Sequence, residues 1–248
     1  MTFLLLIGLF VSACDRPEPP ARQQASAPAQ SRVEPSTAQP RTEGRPRVVV
    51  LGDSLTAGLG LPPNDAFPAQ LQERVDRNGL AFEVVNAGVS GDTSAGGVSR
   101  LDWALSGDVR VLVVALGAND GLRGLPVAEL RRNLSEIIGR AQKQGVKVVL
   151  AGMEALPNLG PQYARDFHDV FPSLASEFRV PLVPFLLEGV AGVDALNQRD
   201  GIHPTAAGAR MIADNVWRVL EPVLEHAPAR SSAAPHAAPG SGSTSPAQ

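Results

Sequence analysis

The sequence predicts an α/β protein, a three-layer α/β/α sandwich built on a five-stranded parallel sheet. Three observations carry this prediction. Short apolar runs rich in Val and Leu recur between Arg47 and Val183, alternating with segments whose apolar residues fall at helical spacing. The strongest runs are apolar throughout rather than alternating, as strands covered on both faces must be. Polar clusters containing glycine gather just after the runs, where the chain has to turn.

The first run, Arg47-Val48-Val49-Val50-Leu51, starts after Pro46 and ends at Gly52, so Ser54 stands just past the carboxyl end of a buried strand. Ala66 to Asn78 carries Phe67, Leu71 and Val75 on one helical face, and Gly79 ends it. Ala81 to Asn86 reads as the second strand, followed by a glycine-rich loop and a short helix near Ala95 to Leu105. Val109 to Leu116 is nearly all apolar and therefore central. The next helix aligns Val127, Leu130, Leu134, Ile137, Ile138 and Ala141, and stops at Gly145. Val146 to Ala151 is a fourth strand, Tyr163 to Phe178 a helix, and Val180 to Val183 a short fifth strand. A last helix from Ala206 to Leu224 is striped by Ala209, Ile212, Val216, Leu220 and Leu224.

The two ends differ from this middle. Residues 1–14 hold the apolar run Phe3 to Val11, too short to span a bilayer and typical of a secretory signal core. It is followed by Val11-Ser12-Ala13-Cys14, which looks like a lipobox and makes Cys14 the expected lipid-attachment residue. Residues 15–46 are rich in Pro, Ala, Gln, Ser and Arg, with Val33 the one large apolar residue, so they predict a flexible tether. Residues 47–226 form the expected folded domain, and 227–248 repeat the Pro/Ala/Ser/Gly character as a tail. The expectation is an exported protein, held at a membrane through Cys14 and facing the periplasm.

Composition narrows the function. A net charge of −3 is too small to point to nucleic acid or an acidic lipid surface as the main partner. Aromatic residues are 4% of the chain, so stacking platforms for single strands are not in evidence. One cysteine excludes an intramolecular disulfide and a thiolate metal cluster. No metal and no cofactor are expected, and the expected partner of this monomer is a small molecule.

Mapped onto the strand pattern, the polar residues converge. Ser54 follows strand one, Gly91-Asp92-Thr93 strand two, Asn119 and Asp120 strand three, and Asp200-Gly201-Ile202-His203-Pro204 strand five. In open α/β sheets this carboxyl edge is where ligands bind. A serine hydroxyl needs an imidazole to take its proton, and the imidazole needs an acceptor to hold its tautomer. Asp200 and His203 supply such a pair, while the backbone N–H groups of Ser54 and Gly91 and the side-chain amide of Asn119 are candidate oxyanion donors. Asp53, Asp92 and Asp120 have no accompanying histidine pattern and are expected to hydrogen-bond within the loops. His168 is expected on a solvated helix face, and His226 and His236 lie at or beyond the end of the fold. Two further loops, Leu122 to Pro126 and Leu156 to Tyr163, carry apolar residues without periodicity. That makes Leu122, Leu159 and Tyr163 candidate substrate contacts.

These motifs carry a resemblance. Gly52-Asp53-Ser54-Leu55 resembles block I of the SGNH (GDSL) hydrolases, and Gly91, Asn119 and the Asp200–His203 pair match blocks II, III and V in order. The longer matches around Ser90-Gly91-Asp92-Thr93, Leu116 to Gly124 and Asp200 to Pro204 resemble the bacterial acyl-CoA thioesterase, lysophospholipase and arylesterase branch. The resemblance covers Arg47 to Leu224 and implies a flavodoxin-like sheet, with Ser54 and Asn119 on either side of its switch point. It implies a serine esterase with nucleophile Ser54, base His203, orienting Asp200 and an oxyanion hole of Ser54, Gly91 and Asn119. The chain departs from the family pattern around Leu159 to Tyr163, so specificity does not carry over. A carbohydrate O-acetylesterase and a catalytically idle acyl-binding lipoprotein stay open as alternatives.

Overall fold

The computed structural model describes residues 44–227. The leader with Cys14, the tether up to residue 43 and the tail from residue 228 lie outside the described residues. Five parallel strands, β1 (Arg47–Gly52), β2 (Glu83–Gly88), β3 (Val109–Ala115), β4 (Lys147–Ala151) and β5 (Leu182–Val183), form one sheet in the order β2-β1-β3-β4-β5. The order reverses between β1 and β3, which makes their carboxyl ends the switch point of a doubly wound sheet. Val48 to Leu51 and Val111 to Ala115 are buried throughout, as unbroken apolar runs at the sheet centre require.

Helices α1 (Ser54–Ala57), α2 (Phe67–Arg77), α3 (Ser94–Ser99), α4 (Leu101–Ala104), α5 (Ala118–Leu122), α6 (Val127–Lys143), α7 (Pro161–Phe178) and α8 (Ala206–Glu225) fill the connections. Right-handed crossovers assign them to layers. The chain moves one way along the sheet from β1 to β2 and the other way thereafter, so α2 lies opposite α3, α6 and α7. The packing agrees: α2 rests on α8, while α6 rests on α3 and α7. Phe67, Leu71, Leu134, Ile138, Phe167, Phe171, Ile212 and Leu220 are fully buried under these layers.

The sequence expectations differ from the structure at a few boundaries. The second strand runs to Gly88 rather than Asn86, because β1 offers partners as far as the Gly52–Gly88 pair. The fifth begins at Leu182, since Pro181 has no N–H for the ladder although its carbonyl accepts Leu150 N–H at 3.0 Å. The expected single helix near Ala95 to Leu105 is two helices, interrupted at Arg100.

β1 ends in a tight turn into α1. A Cβ on Gly52 would overlap the Thr56 side chain and lie 2.9 Å from the Ala115 carbonyl oxygen, so the close approach of α1 to the strand ends needs glycine here. Asp53 caps α1, its Oδ1 accepting the Leu55 N–H at 3.0 Å. The residue is 1% exposed, and burial pushes its carboxyl up to about 6, against the lowering effects of the Leu55 N–H, the Asn119 amide and the nearby His203. The direction sets a pH dependence of stability. Below about pH 4 the carboxyl is protonated whether the chain is folded or not. As pH rises toward 6 the unfolded chain ionises first, so the folded state loses stability, and above pH 6 the loss is constant. Asp53→Asn keeps the acceptor for Leu55 without the charge. Urea unfolding should show it more stable than the parent by up to about 3 kcal/mol at pH 8, with the gain fading to nothing near pH 4. Parallel stability–pH curves for the two proteins would mean that Asp53 does not titrate in this window.

Candidate active site

The segments that follow β1, β3, β4 and β5 meet over a cleft of about 390 Å³. Ser54, Asn119 and His203 all line it. Ser54 opens α1, where the first backbone N–H groups have no acceptor within the helix. Its hydroxyl lies 3.0 Å from His203 Nε2. His203 Nδ1 lies 2.7 Å from Asp200 Oδ2, while Asp200 Oδ1 accepts the backbone N–H groups of Ile202 at 2.9 Å and His203 at 3.0 Å. Those backbone and imidazole bonds hold the Asp200 carboxyl well below the usual carboxylate range, the His203 N–H contributing most. An ionised Asp200 accepts the proton on Nδ1 and leaves the Nε2 lone pair turned toward Ser54.

Asn119 lies in α5, just past β3, and its amide donates to the Asp92 carbonyl at 2.9 Å and toward Asp53 Oδ2 at 3.4 Å. The first contact fixes which way the amide faces, and the second is long enough to yield to a better acceptor in the cleft. Gly91 lies in the loop after β2 at φ +84°, with its carbonyl accepting Arg123 Nη2 at 2.8 Å. Leu122 lines the cleft together with Leu55, Met153, Leu156 and Phe185. The lining does not include Leu159 or Tyr163. Leu159 packs beside Gly124, and the Tyr163 hydroxyl donates to the Leu125 carbonyl at 2.8 Å while its ring stacks on Phe167. Both side chains thus brace the turn that follows Leu122 at the end of α5.

The aspartates of the loops are used internally. Asp120 accepts the Ser94 N–H at 2.8 Å and the Ser94 hydroxyl at 2.6 Å, and Asp92 pairs with Arg100 at 2.6 Å. His168, on the exposed face of α7, lies 2.7 Å from Glu154 Oε1.

Three residues that the sequence pattern does not single out hold this edge together. Arg100, at the break between α3 and α4, also donates to the Ala87 carbonyl at 2.6 Å and the Gly52 carbonyl at 2.7 Å. Gln198 donates to the Leu59 and Pro204 carbonyls at 2.8 and 2.9 Å, tying the histidine loop to the serine loop. Asn197, buried, donates to the Val190 and Val193 carbonyls at 2.6 and 2.9 Å. Each reaches backbone carbonyls rather than a sequence partner, so no local motif announces it. A larger cavity of about 770 Å³ opens at the opposite sheet edge, by Lys147, Arg179 and Arg218. It lies by the carboxyl ends of α6 and α7 and shares no lining residue with the cleft at Ser54.

Comparison with known proteins agrees with this fold. The chain is 45% identical over 178 residues to "Esterase TesA" of Pseudomonas aeruginosa, covering 71% of this chain and 89% of that one. It is 37% identical over 175 residues to "Arylesterase" of Vibrio mimicus, covering 70% and 88%. Among solved structures it resembles the psychrotrophic esterase EstA from Pseudoalteromonas sp., inhibited by monoethylphosphonate, with a TM-score of 0.69 and 30% identity over 72% of this chain and 98% of that one. Residues 50–211 match the model of the GDSL-like Lipase/Acylhydrolase family, and the chain belongs to that family.

Proposed function

We propose that this protein is a serine esterase that hydrolyses carboxylic esters or thioesters through an acyl-enzyme on Ser54. One observation carries the reading: an unbroken hydrogen-bonded chain from Asp200 through His203 to Ser54, at the wall of an apolar cleft. Ser54 Oγ attacks the carbonyl carbon as its proton passes to His203 Nε2, giving a tetrahedral intermediate. The Asn119 amide, the Ser54 N–H and the Gly91 N–H are the candidate oxyanion donors. The bond to the leaving group then breaks, and that group takes the proton from His203. Water attacks the acyl-serine with His203 again as base, and the carboxylic acid departs. Asp200 stays ionised throughout and holds the imidazole, as its low carboxyl range favours.

Ser54→Ala and His203→Ala should each lower kcat by several orders of magnitude in a folded protein, and the double variant should lose little more, since such groups act as a unit. Asn119→Ala should lower kcat roughly 10²–10³-fold with little change in KM. Near-normal turnover by Ser54→Ala, or failure of a fluorophosphonate probe to label the parent, would leave the idle acyl-binding protein as the better reading.

The apolar cleft wall favours an acyl chain or an aryl group over a sugar. kcat/KM should rise from acetyl toward hexanoyl and octanoyl esters, by up to about 0.8 kcal/mol for each methylene buried. Leu122→Ser should flatten that rise, whereas Leu159→Ser should leave most of it. An acetyl preference would favour the carbohydrate O-acetylesterase instead.

The Val11-Ser12-Ala13-Cys14 motif supports export and lipid attachment at Cys14, with the domain facing the periplasm. Among the described residues no helix is long and apolar enough to cross a membrane. Cys14→Ser should move the protein from the membrane fraction to the soluble exported fraction with unchanged specific activity. Membrane association that survives the substitution would point to an uncleaved leader.

A further inference from the structure

We propose that Glu154 determines specificity by favouring esters whose leaving group carries a quaternary ammonium or a similarly bulky cation. The proposal rests on the reading of Ser54 as nucleophile and names a substrate class for that same cleft.

Glu154 follows β4 and lines the cleft among apolar neighbours, next to Met153, Ala155 and Leu156. Its side chain is the one carboxylate in the lining, where the other titratable group is His203. The remaining polar groups have other uses. Ser54 and Asn119 serve the reacting carbonyl, and Asn197 donates to the Val190 and Val193 carbonyls. Glu154 is held in place from outside the cleft, because its Oε1 accepts from His168 Nδ1 at 2.7 Å. Its second oxygen has no protein partner among the described residues and is available to a ligand.

The position of this charge suits the leaving group rather than the acyl chain. The Glu154 side chain is 40% exposed, so it stands at the rim, where the departing alcohol must reach water. An acyl chain gains most in the apolar depth of the cleft. A small ammonium would keep its water shell at such a rim. A quaternary ammonium is large and weakly hydrated, and it can rest its methyl groups on Leu156 and on the ring of Phe185 while its charge is offset by the carboxylate. The same carboxylate opposes a polyanionic leaving group.

The test compares hexanoylcholine with its uncharged carbon analogue, 3,3-dimethylbutyl hexanoate, at low ionic strength with the full chain. The parent should hydrolyse the choline ester with a kcat/KM about three- to tenfold higher, mostly through KM, and salt should shrink the ratio. Glu154→Gln should bring the ratio close to one, and Glu154→Lys should take it below one. Thermal melting of each variant checks that the fold is intact. A parent ratio at or below one overturns the proposal, as does a ratio that Glu154→Gln leaves unmoved while both esters are hydrolysed. Absence of Ser54-dependent hydrolysis of either ester overturns the esterase reading, and this proposal with it.

Discussion

The active edge depends on Arg100. At the carboxyl ends of β1 and β2 the Gly52 carbonyl accepts the Val89 N–H at 3.0 Å, which leaves its second lone pair and the Ala87 carbonyl for a side-chain donor. The Arg100 guanidinium meets the Gly52 and Ala87 carbonyls together and pairs with Asp92 on its third side. Its planar fork with five donors can do this, where a lysine ammonium would not span the same set of acceptors. The break between α3 and α4 falls at this residue, so a local helix defect puts the side chain under the strand ends. Through Asp92 the clamp also orients the carbonyl that receives the Asn119 amide.

Around that clamp the site is a balance of negative groups in unlike settings. Asp200 is half exposed and receives two N–H groups and an imidazole, so it stays ionised and keeps the histidine in one tautomer. Asp53 is buried one residue from the nucleophile, and desolvation raises its carboxyl. Glu154 stands at the rim with a histidine behind it. The three carboxylates are chemically alike, and their surroundings alone make one an orienting group, one a buried cap and one a charge presented to the cleft.

The loop between β4 and α7 connects architecture with selectivity. Tyr163 and Leu159 do not reach the cleft, yet they hold the turn that follows Leu122, through the Tyr163 bond to the Leu125 carbonyl and the packing at Gly124. Apolar residues on an irregular surface loop can either touch a ligand or pin the loop, and sequence alone cannot separate the two. Leu122 touches the cleft because α5 carries it there directly from β3, with no further turn between.

Much of this protein could be read from its sequence. Unbroken Val/Leu runs located the buried strands, helical spacing located α2, α6 and α8, and the segments that follow the runs contained Ser54, Asn119, Asp200 and His203, because those patterns are local and periodic. The tertiary structure decided what is not local. It decided where β5 begins, since Pro181 withholds a ladder donor, and that Arg100, Asn197 and Gln198 bind distant carbonyls no motif records. It also placed Glu154 in the cleft lining and left Tyr163 out of it. Period and composition fix which face of an element is apolar; which polar side chain meets which backbone atom depends on how separate elements come together in space.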